Sequence, residues 1–209
     1  YFMNSIDPFR IEGYKVTGFE IFLQLNFKVP RYIFAPLSSG GHLIGLMKSF
    51  LELKQQGIIR RIPIFVGVQA EGCSPISQAF TAGQSKVKRI TKAETIAQAI
   101  SNPDPPGGNL VLKMIRENNG TILDVSDEEI LSAQKTLAAL EGIFCQPASA
   151  TPLAGLLKFS NRIEFDKEDK IVLVITGSGL KTIKILEPAK IKIQQATLDN
   201  LDSVIRASL

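Results

Sequence analysis

The chain has 209 residues, 44% of them hydrophobic, enough for a large α/β domain to bury a substantial core without metals or disulfides. Its 24 Lys and Arg stand against 20 Asp and Glu, and the basic residues are scattered among acidic ones, so there is no nucleic-acid signature. No apolar run is long enough to span a bilayer, the amino end lacks the basic and apolar regions of a secretory signal, and Cys73 and Cys145 lack any Cys-x-x-Cys pair or His cluster; a cytoplasmic protein with reduced thiols, no metal site and no membrane partner is expected.

Residues 1–30 form a lead-in that carries Arg10, and residues 31–37, with Tyr32-Ile33-Phe34-Ala35, form the first predicted strand. The strand runs into the small-residue turn Ser38-Ser39-Gly40-Gly41-His42. Leu43, Ile44, Met47, Phe50 and Leu51 then recur at helical spacing until Gly57 offers a stop. A turn of this kind brings backbone N–H groups and a helix amino terminus to one point, which suits an anion, most simply a phosphate. A tight strand-to-helix turn that holds nothing has the same local signature.

Pro63 to Val68 supplies the next strand, and Asn102 to Asn109, with three prolines and two glycines, is an irregular loop that forms either a cleft wall or an ordinary connection. Thr121 to Val125 is a strand, and Ser126-Asp127-Glu128-Glu129 matches a capping box opening a helix that runs to about Glu141. A helix from Ala150 to Lys158 leads to a strand at 171–175 and a second glycine turn, Thr176-Gly177-Ser178-Gly179. Strands alternating with helices predict a doubly wound α/β fold, a mostly parallel sheet with helices on both faces. A single domain over 1–209 is expected, with a tail at 182–209 of no assigned role.

Asp7-Pro8-Phe9-Arg10-Ile11-Glu12-Gly13, Ser38-Ser39-Gly40-Gly41-His42-Leu43, Pro105-Pro106-Gly107-Gly108-Asn109, the run from Gly142 to Ala150, and Thr176-Gly177-Ser178-Gly179-Leu180-Lys181 together resemble threonine synthase, in order and in spacing. The resemblance implies the large cofactor domain of the tryptophan synthase β-like fold, of fold type II. It implies pyridoxal phosphate as cofactor, O-phosphohomoserine and water as substrates, threonine and phosphate as products, and a homodimer for the intact enzyme. By the family pattern Ser38, Ser39, Gly40, Gly41 and His42 cradle the cofactor phosphate, and the hydroxyl of Thr176 meets the pyridine nitrogen. Arg10, with His42, lies near the substrate phosphate, where a planar guanidinium can bind two oxygens.

The sequence departs from that pattern at several positions. Tyr14 and Val16 stand where many relatives have Gln and Thr, His42 stands for Asn, and Gln146 for Glu. The lysine that forms the Schiff base in relatives lies in a segment before the Arg10 motif, and Lys15, Lys28, Lys48 and Lys181 do not match its surroundings. No catalytic residue is therefore assigned. The chain, which begins with Tyr1, is expected to be the carboxy-terminal part of a longer enzyme, incomplete at its amino end and inactive alone. A related threonine or serine dehydratase and a non-catalytic pseudoenzyme domain are the alternatives. Arg10 speaks against the dehydratase, which has no substrate phosphate to hold.

Overall fold

The computed structural model describes residues 5, 7–161, 164–182 and 195–208. Asp7 caps the first helix, its Oδ1 accepting from the backbone N–H of Phe9 at 2.8 Å, and Pro8 begins the helix where its missing N–H costs nothing. This helix, α1 (Pro8–Gln24), is followed by β1 (Tyr32–Pro36), α2 (Gly41–Gln55), β2 (Ile64–Ala70), α3 (Pro75–Thr81), a 3₁₀ turn (Gln98–Ile100) and α4 (Gly108–Glu117). Then come β3 (Thr121–Val125), α5 (Asp127–Glu141), α6 (Pro147–Ser160), β4 (Ile171–Leu173) and α7 (Leu201–Ser208). The capping box forms as the sequence predicts: Glu129 N–H donates to Ser126 Oγ at 3.1 Å, and Ser126 N–H donates to Glu129 Oε2 at 2.7 Å.

The four strands form one parallel sheet in the order β3-β2-β1-β4. Alternation along β1 sends Ile33 and Ala35 to one face and Tyr32 and Phe34 to the other. The first face packs on α2, through residues such as Leu43, Met47 and Phe50, and on α4, through Val111 and Ile115. The second packs on α5 and α6, through Ile130, Ala133, Ala150 and Ala154. This is the expected doubly wound arrangement, and β1 is buried throughout because helices cover it on both sides. Phe34, Phe50 and Phe65 are fully buried, each contributing roughly 1.5–3 kcal/mol of hydrophobic stabilisation.

Two elements differ from the sequence reading. The lead-in contains α1, which packs along α2 through glycines: a Cβ on Gly45 would meet Tyr14 Cβ at 2.5 Å, and one on Gly18 would overlap Ser49. Contacts advance together along the two helices, Ile11 and Tyr14 at Gly45 and Gly18 at Ser49, so both run the same way. The second difference lies in β4, which ends at Leu173, although Val174 N–H still donates to Phe34 O at 3.0 Å before the chain leaves the sheet. The tail contributes α7, and its residues 183–194 lie outside those described.

Candidate functional site

The chain moves outward from β1 to β2 to β3 and then returns to the other side of β1 with β4, so the strand order reverses between β1 and β4. In open parallel sheets a crevice opens at the carboxyl ends of the two strands flanking such a reversal. A cavity of about 620 Å³ lies there. The chain leaving β1 lines it from Leu37 to Leu43, the chain leaving β4 lines it with Val174, Ile175 and Thr176, and α1 adds Arg10, Tyr14 and Thr17. All seven residues singled out from the sequence, Arg10, Ser38, Ser39, Gly40, Gly41, His42 and Thr176, thus share one cavity.

Gly40 adopts φ +99°, a backbone that side chains rarely accept, and a Cβ there would meet Val111 Cγ2 at 2.9 Å and Gly107 C at 3.1 Å. The turn it makes starts α2 directly, and no side chain caps that helix. Among the described residues no acceptor meets the backbone N–H groups of Gly41, His42 or Leu43, which remain as donors at the positive end of the helix. The 102–109 loop braces the turn from behind. Gly107 N–H donates to Ser39 O at 2.9 Å, and Asn102 Nδ2 donates to Ser39 Oγ at 2.7 Å. Having accepted from Asn102, the Ser39 hydroxyl keeps its own proton for a further partner.

At the cavity mouth, Arg10 Nε donates to the Tyr14 hydroxyl at 2.7 Å, and the guanidinium lies 5.6 Å from the Tyr14 ring centre. Its two terminal nitrogens take no acceptor among the described residues. The Tyr14 ring meets His42 edge-on, with centroids 5.3 Å apart. Burial pushes the His42 pKa below its usual value, so this imidazole is neutral at neutral pH. Of the two sequence departures in α1, Tyr14 keeps a polar group at the entrance, whereas Val16 is exposed outside the cavity lining.

On the β4 side, Thr176 Oγ1 lies 2.8 Å from Ser149 Oγ, and Ser149 also accepts from Gly177 N–H at 2.7 Å. Gln146 lines the cavity and ties this turn to α6, its backbone N–H donating to Gly177 O at 2.9 Å. The sequence reading does not single out Ser149 or Asn102 as contributors, and it counts Tyr14 as a departure weakening the polar entrance, where the structure instead has its hydroxyl accepting from Arg10. For Ser149 the available signal was a serine amid small apolar residues at the start of a helix.

Among the described residues no lysine lines the cavity. Lys15 is bound between Glu12 at 2.6 Å and Glu52 at 2.7 Å, which raises its pKa and keeps it charged, a poor state for a nucleophile. Lys48 pairs with Glu12, while Lys28 and Lys181 are exposed away from the cavity. Cys73 and Cys145 are buried and free, and burial pushes the Cys145 thiol pKa up.

A family model described as "Pyridoxal-phosphate dependent enzyme" matches residues 1–177, a stretch that takes in Arg10, the Ser38–His42 turn and Thr176. The threonine synthase of Methanosarcina acetivorans is 43% identical over 181 residues, 87% of this chain and 45% of that protein. That of Methanocaldococcus jannaschii is 41% identical over the same shares of each. The chain therefore spans a little under half the length of these curated relatives. Among solved structures, a threonine deaminase from T.th. superposes with a TM-score of 0.67 at 24% identity, covering 83% of this chain and 58% of that one, which shows a shared fold. No helix among the described residues is long and apolar enough to cross a membrane.

Proposed function

This chain belongs to the pyridoxal-phosphate dependent enzymes, and on that premise we propose that it is the cofactor-binding part of a threonine synthase, acting on O-phosphohomoserine and water to give threonine and phosphate. The observation that carries the reading is the row of N–H donors at the start of α2 that meet no acceptor among the described residues, lining one cavity with Thr176 and Arg10. Resemblance to two threonine synthases over most of the chain supports it. The domain extends over 1–209, and the intact enzyme is a cytoplasmic homodimer.

The residues present fit the cofactor. The Ser38–His42 turn offers backbone and hydroxyl donors to a phosphate, with the helix end adding favourable charge. Thr176 offers a hydroxyl to a ring nitrogen. When bound, pyridoxal phosphate supplies an electron sink for carbanions at successive substrate carbons. Arg10, pinned by Tyr14, turns its two terminal nitrogens to the substrate phosphate and orients the substrate against that sink. His42, neutral and half-buried beside Tyr14, donates a single N–H toward the same phosphate. The resemblance implies that the proton-moving amine comes from a segment before the Arg10 motif, so that the chain is inactive alone, and the absence of a lysine from the cavity lining among the described residues supports this reading.

Titration of the chain with pyridoxal phosphate, followed by borohydride reduction and mass analysis, tests this reading. Reversible binding without a covalent adduct is expected. One stoichiometric adduct at a lysine of this chain would overturn the claim that it is inactive alone, and failure to bind would overturn the cofactor assignment.

A further inference from the structure

We propose that Ser149 is a positioning residue that sets the direction of the hydrogen bond at Thr176, so that the Thr176 hydroxyl proton stays available to an acceptor nitrogen in the cavity. The inference rests on the cofactor reading above and adds a residue to which that reading gives no part. It follows from counting protons. A hydroxyl has one proton to donate and two lone pairs with which to accept.

Ser149 lies in the first turn of α6, completely buried, with Ala148 and Ala150 buried on either side. One lone pair of its Oγ is taken by Gly177 N–H at 2.7 Å. The 2.8 Å contact with Thr176 Oγ1 then admits two arrangements. If Thr176 donated to Ser149, the Ser149 oxygen would accept twice and its own proton would be left without an acceptor among the described residues, in a site that water does not reach. Buried donors left in that state are costly and rare. If Ser149 donates to Thr176, every group in the pair is satisfied internally except the Thr176 proton, and Thr176 is exposed to the cavity. The second arrangement is the one the burial selects.

Gly177 N–H therefore does more than close a turn. By occupying Ser149 from one side it commits the Ser149 proton to Thr176, and this in turn commits the Thr176 proton to whatever lies in the cavity. A donating Thr176 matches a ring nitrogen that keeps its lone pair. With Ser149 removed, the Thr176 hydroxyl is free to rotate and to act as donor or acceptor, and the preference for that ring form weakens.

The test compares pyridoxal phosphate with its 1-deaza analogue, in which a C–H replaces the ring nitrogen, by titrating the full 209-residue chain with each and following absorbance. Wild type is expected to favour pyridoxal phosphate by roughly three- to tenfold, the size of one hydrogen bond. Thr176→Val should bring that ratio close to one, Ser149→Ala should lower it part of the way, and the double variant should fall no lower than Thr176→Val. A ratio that survives Ser149→Ala, or an equal loss for both ligands, would show that Ser149 only supports the turn and would overturn the inference while leaving the cofactor assignment standing. A wild-type chain that binds neither ligand overturns both. Should Ser149→Ala fail to fold, Ser149→Cys keeps the shape with a much weaker donor, and the same fall in the ratio is expected.

Discussion

Arg10 and Tyr14 form a single unit: the arginine donates its Nε–H to the tyrosine hydroxyl at 2.7 Å and lies against the face of the same ring. One turn of α1 separates them, so the pairing is local and survives as long as the helix does. Its effect is to spend the Nε donor inside the protein and leave the two terminal nitrogens, a planar pair suited to two oxygens of one phosphate.

Arg10→Ala is therefore expected to lower affinity for a phosphonate analogue of O-phosphohomoserine by about ten- to a hundredfold, the range for charge-assisted hydrogen bonds. Tyr14→Phe, which keeps the ring and loses the hydroxyl, should cost about two- to tenfold. Neither should change unfolding free energy by more than about 0.5 kcal/mol, because Arg10 is exposed and Tyr14 keeps its packing. Calorimetric titration of the cofactor-loaded chain measures the first two effects, and wild-type affinity in Arg10→Ala would remove Arg10 from the substrate site.

His42 is the one histidine of the sequence, so no second imidazole titrates near pH 6. Burial lowers its folded pKa below the ordinary 6.5, which means that between these two values the unfolded chain binds more protons than the folded one. Stability contributed by neutral burial is complete above about pH 6.5 and is lost as pH falls toward the depressed folded value. Urea unfolding at pH 7.5, 6.5 and 5.5 should show declining stability below 6.5 in wild type, at no more than about 1.4 kcal/mol per pH unit for one proton. The same series on His42→Asn should be flatter, and an equal slope would assign the acid sensitivity elsewhere.

Gly40 and Gly41 are neighbours with opposite tolerance. At Gly40 the positive φ and the 2.9 Å approach of Val111 both penalise a side chain, and Gly40→Ala is expected to destabilise the fold by about 1–3 kcal/mol. At Gly41 a Cβ would meet Ile11 at 3.6 Å and Ser5 O at 3.7 Å, ordinary contacts, so Gly41→Ala should change stability by less than about 1 kcal/mol. Thermal unfolding of both variants decides the point. Equal destabilisation would mean that the turn is held by something other than the Gly40 backbone and the 102–109 brace.

The parts of this fold that were legible in the sequence are those whose local signals agree with their burial. Thr121–Val125 is a strand residue for residue, and α5 lies between a capping box and Gly142 in the left-handed conformation, as its sequence says. The turn at Ser38 was legible for the same reason, being small residues between a buried strand and a periodic helix. Helix α1 was not, because its buried face is made largely of close approach: only Gly18 and Phe22 are fully buried, while Phe9, Val16 and Leu23 are exposed and blur the apolar period. Ser149 and Asn102 were missed because their importance is relational. Nothing in a lone serine or asparagine says that its partner is Thr176 or Ser39, and those pairs exist only once β4 lies beside β1 and the 102–109 loop folds back on the turn.

The glycine contacts of α1 make its placement testable. Gly18 sits directly against Ser49 of α2, so a methyl group there would overlap that side chain, whose hydroxyl is already committed to Leu46 O at 2.7 Å. The helices cannot separate freely, because Lys15 bridges them to Glu52 at 2.7 Å and Phe22 is locked in the core beside Phe50. Gly18→Ala is therefore expected to destabilise the chain by about 1–3 kcal/mol, despite the helix propensity that alanine brings. Ser49→Gly removes the obstructing atoms and should recover part of the loss in the double variant, a coupling between neighbours that independent effects would not produce. Arg10 rides on the same helix, so Gly18→Ala should also weaken binding of the phosphonate analogue, and Ser49→Gly should restore it in parallel with stability. Unfolding curves and calorimetric titrations on the three variants test both halves, and additive losses in the double variant would show that α1 is not seated through Gly18.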